Sequence, residues 1–74
     1  MEINKKGALF VIKVNGKKYE IDSVNLLEFI RSEKFDENKI AVELNGDIVK
    51  RGNYDQYILS DGDKIEIVCF VGGG

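Results

Sequence analysis

Two Asn-Gly pairs, Asn15-Gly16 and Asn45-Gly46, each lie between runs of alternating apolar and polar residues, and no other feature of the chain narrows its fold as much. Asn-Gly favours the positive φ angles that a tight hairpin needs at both turn positions. Around the first pair, a two-residue turn sets Val14 opposite Lys17, Ile12 opposite Tyr19 and Phe10 opposite Ile21. Phe10, Ile12, Val14, Tyr19 and Ile21 then share one face, as a hairpin with one buried side requires. Around the second pair, Ile40 to Leu44 alternates and Ile48-Val49 begins the return strand. A three-residue turn, Asn45-Gly46-Asp47, sets Ile48 opposite Leu44 and keeps the apolar face continuous.

Between the hairpins the apolar period changes from that of a strand to that of a helix. Val24, Leu26, Leu27, Phe29 and Ile30 form a wide stripe, while Glu28, Arg31, Glu33 and Lys34 fall on the opposite side, so one helix of about three turns packs on the sheet. Asp22 or Ser23 is the expected N-cap, because a short polar side chain accepts from the first unpaired amides. Phe35 is placed to anchor the helix end. Arg51-Gly52-Asn53 interrupts the strand that follows the second turn, and Tyr54 to Leu59 reads as a short helical turn covering an open edge of the core.

Lys64 to Val71 is the most strand-like run in the chain. Ile65, Ile67, Cys69 and Val71 share one face, and Glu66, Val68 and Phe70 share the other. A strand this apolar belongs in the middle of a sheet, parallel to the first. Hairpin, helix, strand pair and central last strand together make an α+β fold, the β-β-α-β-β arrangement of a ubiquitin-like β-grasp with a mixed sheet and one main helix. One domain is expected over residues 1–74, with 1–8 a loose N-terminal extension and 72–74 a flexible C-terminal tail.

A chain of 74 residues with a pI near 5.0 and 11 basic against 13 acidic residues is not composed to grip a phosphate backbone, so no nucleic acid is expected. No apolar run reaches bilayer length, and the N-terminal residues lack the apolar core of a secretory signal, which predicts a cytoplasmic protein without membrane contact. With no histidine and one cysteine there is neither a histidine-based triad nor the usual zinc ligand set, so no metal site is expected. Asp61-Gly62-Asp63 reads as a type I turn with a left-handed glycine, not as a cation site. Cys69, among apolar neighbours, is expected to be buried and unreactive. No residue is expected to be catalytic, and this chain is not expected to be an enzyme.

What remains is the end, Cys69-Phe70-Val71-Gly72-Gly73-Gly74. Glycines without Cβ atoms pass where other residues do not, and an extended Phe70–Gly74 would carry the Gly74 carboxylate roughly 15 Å beyond the domain. A carboxylate becomes an acyl donor once ATP has converted it to an acyl-adenylate. The chain has no phosphate-cradling loop of its own, so that step would fall to a partner. Phe70, Val71 and Val68 are the candidate partner-binding residues, with Gly72 and Gly73 entering the partner's site.

Ile40-Ala41-Val42-Glu43-Leu44-Asn45-Gly46-Asp47-Ile48-Val49-Lys50-Arg51, Leu59-x-Asp61-Gly62-Asp63-x-Ile65-Glu66-Ile67-Val68 and the Phe70-Val71-Gly72-Gly73-Gly74 end together resemble the ThiS family, small sulfur carriers of thiamine biosynthesis within the wider ThiS/MoaD-like group. The last block is the specific one. The resemblance implies that Gly74 is adenylated and converted to a thiocarboxylate, whose sulfur goes to build the thiazole of thiamine. It implies a ThiF-like adenylating enzyme, a ThiG-like thiazole synthase and a sulfur donor such as a cysteine desulfurase as partners. ATP is used by the partner, no cofactor is bound, and the carrier is a monomer when free. A molybdopterin synthase small subunit and a ubiquitin-like modifier are the alternative readings of the same fold. The leading residues through about Leu9 extend beyond the family pattern, and Cys69 stands where that pattern leads one to expect a polar residue.

Overall fold

The turns form where Asn-Gly demands them. In the structure, a computed structural model that describes residues 9–22 and 24–70, Asn15 (φ 52°) and Gly16 (φ 85°) take the left-handed conformation, as do Asn45 (φ 52°) and Gly46 (φ 91°). The readings of residues 1–8, Ser23 and 71–74 lie outside the described residues. Strand β1 (Phe10–Val14) pairs antiparallel with β2 (Lys17–Ile21) in the expected register, Phe10 with Ile21 and Val14 with Lys17.

Strand β3 (Ile40–Leu44) pairs with β4 (Asp47–Val49) through a two-residue turn, not the three-residue turn the alternation suggested. Leu44 faces Asp47 and Glu43 faces Ile48, which turns Ile48 outward to 74% exposure. The requirement for positive φ at two successive residues outweighs the burial of one isoleucine, and Val49, opposite Val42, fills the core position instead.

Among the described residues, β5 (Lys64–Cys69) completes one mixed sheet in the order β2-β1-β5-β3-β4, a β-grasp. The last strand is central, parallel to β1 and antiparallel to β3. One face of the sheet is covered by α1 (Leu26–Ser32) and by the 3₁₀ helix Arg51–Gln56. Leu26 and Ile30 of the helix, Ile65 of β5, and Leu59 are fully excluded from solvent, with Ile12 and Val42 at 1%. Tyr19 packs edge-on against Phe29, with ring centroids 5.7 Å apart. Tyr54 and Leu59 close the remaining edge, whereas Tyr57 and Ile58 stay exposed. Burial raises the Tyr54 phenol above its ordinary pKa, and its hydroxyl lies 3.5 Å from the Ile40 carbonyl.

The helix is shorter than its apolar stripe. Its N-cap is Asn25, whose Oδ1 accepts from the Glu28 amide at 2.8 Å, not Asp22 or Ser23. Val24 and Asn25 are held in extended form: the Val24 carbonyl accepts from Leu59, and Asn25 bridges antiparallel to Ile58. The helix cannot begin until that bridge is passed.

At the other end, the Phe35 amide donates to Ile30 and the Lys34 amide to Arg31, a Schellman closure with Lys34 at φ 66°. Phe35 packs against the core, as its anchoring role requires. A lysine at this left-handed position is strained, and Lys34→Gly is expected to stabilise the fold by about 0.5–1 kcal/mol, read as a higher urea midpoint at unchanged m-value. A lower midpoint would mean that glycine's extra unfolded-state freedom outweighs the relief.

Candidate functional site

The C-terminal end of β5 emerges from the middle of the sheet with decreasing lateral support. β1 pairs with β5 only at Lys13–Lys64 and Val14–Ile65, because β1 ends at the Asn15-Gly16 turn. Beyond that point β5 keeps β3 as its neighbour, through Glu66–Glu43, Val68–Ala41 and Cys69–Ile40, and the Phe70 amide donates to the Lys39 carbonyl at 2.9 Å.

Both turn asparagines extend this support with their side chains. Asn15 Oδ1 accepts from the Ile67 amide at 2.8 Å and Asn15 Nδ2 donates to the Ile67 carbonyl at 3.1 Å, so one amide group imitates a further residue of β1. Asn45 Oδ1 accepts from the Lys64 amide at 2.9 Å, and Asn45 Nδ2 donates to Asp63 Oδ1 at 3.0 Å. Each asparagine therefore serves twice, once in its turn and once on β5. Sequence reading found the turn role only; the residue type carried the second signal, since an Asn amide can both donate and accept.

The Asp61-Gly62-Asp63 turn fastens the start of the same strand. Gly62 has φ 89°, Asp61 Oδ1 accepts from the Val11 amide, and Asp63 Oδ2 accepts from the Ser60 amide, both at 2.8 Å. These carboxylates are committed to closing backbone ends. β5 is thus clamped at Lys64, Ile65 and Ile67 before its terminal residues.

Of the sequence-predicted site residues, Val71, Gly72, Gly73 and Gly74 lie outside the described residues. Val68 and Phe70 are described, and both are exposed, at 62% and 49%. They stand one after the other on the outer side of β5, away from α1. Cys69 is exposed, contrary to the burial expected of it. Its alternation does place it on the core side, opposite Ile40. At that level, however, β1 has already turned away, so among the described residues no strand flanks Cys69 on that side.

The family model for the ThiS family matches residues 12–74. The thiazole synthase of Paramagnetospirillum magneticum is 40% identical over 62 residues, covering 82% of this chain and 19% of that one. The sulfur carrier protein ThiS of Bacillus subtilis is 35% identical over 66 residues, covering 86% of this chain and 100% of that one. The crystal structure of thiamine biosynthesis protein ThiS from Geobacter metallireducens superposes with a TM-score of 0.74 at 33% identity, covering 88% of this chain and 100% of that one. The chain spans about a fifth of the length of the thiazole synthases it matches.

Proposed function

The chain belongs to the ThiS family, and from that membership we propose that it is a sulfur carrier protein of thiamine biosynthesis, acting through the carboxylate of Gly74. The observation that carries this reading is a central, clamped β5 whose exposed Val68 and Phe70 lead directly into Gly72-Gly73-Gly74. Residues 1–74 act as one domain, with 1–8 an extension and 72–74 the arm.

In the first step a Gly74 carboxylate oxygen attacks the α-phosphorus of ATP in a ThiF-like enzyme, and pyrophosphate leaves. A persulfide sulfur, supplied through a cysteine desulfurase, then displaces AMP from the acyl carbon to give an acyl disulfide. A thiol cleaves that disulfide, becoming the new disulfide partner and releasing the thiocarboxylate. The thiocarboxylate passes its sulfur to a ThiG-like thiazole synthase. A thiazole synthase as partner is supported by the stretch similar to this chain within the longer Paramagnetospirillum protein. The chain itself supplies the acyl group, the arm and the surface that aligns it. It binds no cofactor, and it is a cytoplasmic monomer between encounters.

Intact-mass measurement after incubation with the adenylating enzyme, ATP, cysteine and a cysteine desulfurase should show oxygen replaced by sulfur at Gly74. A lysine conjugate in place of that gain would overturn the carrier reading in favour of a modifier. Sulfur transfer to a molybdopterin precursor, with none to thiazole synthase, would move the carrier to the other pathway.

A further inference from the structure

Asn-Gly is reactive as well as turn-forming. With no side chain on the glycine, its backbone nitrogen reaches the carboxamide carbon of the preceding asparagine with little hindrance. A bond forms from that nitrogen to Cγ, the Cγ–Nδ2 bond breaks, and ammonia leaves with the proton that the glycine nitrogen gives up. Water then opens the resulting succinimide at either carbonyl, to aspartate or to isoaspartate. Nothing is oxidised or reduced, and water is the co-reactant.

Burial does not keep water from either pair. Asn15, Gly16, Asn45 and Gly46 are all exposed, and among the described residues a Cβ added at either glycine would meet nothing within 4 Å apart from its chain neighbours. The asparagines are held by hydrogen bonds instead. The Asn15 amide donates to the Ile65 carbonyl at 2.9 Å, while its side chain both accepts from and donates to the Ile67 backbone. The Asn45 amide donates to the Lys64 carbonyl at 2.7 Å, its Oδ1 accepts from the Lys64 amide, and its Nδ2 donates to the Asp63 carboxylate. Ring closure expels Nδ2 and turns Cγ toward the glycine nitrogen, so each carboxamide has to leave these partners before it can react.

We propose that Asn15-Gly16 is a self-modification site held closed by β5: Asn15 deamidates when its carboxamide is released from Ile67, and the product prevents the clamp from re-forming. This goes beyond the carrier reading and does not depend on it. In the aspartate product an oxygen stands where Nδ2 donated to the Ile67 carbonyl at 3.1 Å, so acceptor meets acceptor. In the isoaspartate product the main chain runs through the former side chain, which lengthens the turn by one carbon and disturbs the register of β1 with β2. Either product makes the next opening easier, and the chain keeps a covalent record that β5 has been released. Asn45-Gly46 is the internal comparison, because its Nδ2 is held by an exposed side chain, Asp63, and not by the backbone of a central strand.

The test ages the full chain in warm, mildly alkaline buffer, with and without guanidinium chloride, and reads each site by peptide mass spectrometry. Unfolded, the two sites should react at similar rates. Folded, Asn15 should react at least about tenfold more slowly than when unfolded, and more slowly than Asn45. Asp63→Ala removes the acceptor of Asn45 Nδ2 and should speed the reaction at Asn45 more than at Asn15. Asn15→Asp makes the aspartate product directly and should melt about 4–8 °C below wild type. Equal rates at Asn15 in the folded and unfolded chain would overturn the proposal. Equal acceleration of both sites in Asp63→Ala, or none at Asn45, would overturn the carboxamide bonds as the source of protection. An Asn15→Asp protein that melts as wild type does would overturn the lasting effect on β5.

Discussion

Deleting Gly73 and Gly74 should leave a protein that melts as wild type does and never acquires sulfur. Every buried core side chain described above lies between Ile12 and Ile67, and the last described hydrogen bond to the sheet is donated by Phe70. Nothing in the described core or ladder draws on residues 73 and 74, so the stability change should stay within about 0.5 kcal/mol. The shortened chain still ends in a glycine carboxylate, but that carboxylate falls about 7 Å short at an extended rise of about 3.3 Å per residue. Attack on ATP needs the reacting atoms within about 3–3.5 Å in an aligned geometry, and a deficit of several ångströms removes that arrangement altogether. Intact mass and thermal melting read the two halves of the prediction. A large loss of stability would make the terminal glycines structural, and persisting sulfur incorporation would dissociate the chemistry from Gly74.

Asn15→Ala should be the most damaging single exposed substitution, at about 2–3 kcal/mol. Alanine at φ 52° bears the left-handed penalty of about 1 kcal/mol or more, and loss of the amide leaves the Ile67 N–H and C=O without their partner. For a chain of this length, total stability is of the order of 4–11 kcal/mol, so the change removes a substantial share of it. Asn15→Gly separates the two contributions, because it accepts the turn angle and still lacks the amide. Its urea midpoint should fall between those of wild type and Asn15→Ala. If Asn15→Gly is as stable as wild type, the two hydrogen bonds to Ile67 contribute nothing and only the turn matters.

The parts of the fold legible in the sequence were those in which one local preference and one buried face agreed. The first hairpin is such a case: Asn15-Gly16 fixed a two-residue turn, and that turn put Phe10, Ile12 and Val14 on the side of Tyr19 and Ile21. The run Lys64–Val71 announced its central place through its apolar content, and β5 is the middle strand. The second hairpin set the two signals against each other, and turn geometry prevailed over the burial of Ile48. Asn25 was hidden for a different reason. The helix start depends on a bridge to Ile58, more than thirty residues away, which no local pattern reports. Cys69 likewise has the alternation of a core residue, but its exposure follows from where β1 stops. At the candidate site, the outward Val68 and Phe70 could be read from alternation alone, whereas the amide clamps that steady β5 required the strands to be brought together.

The Asn15–Ile67 clamp also sets an order of events during synthesis. Its partners are 52 residues apart in the chain, and β5, which joins the two hairpins, is made after both of them. Until it arrives, β1 and β3 each lack their inner neighbour, and the two hairpins have no strand that joins them in one sheet. Long-range closure of this kind is slow and comes late. A chain interrupted before β5 thus loses the fold together with the residues leading to Gly74, and cannot persist as a folded, armless competitor for the partner's surface.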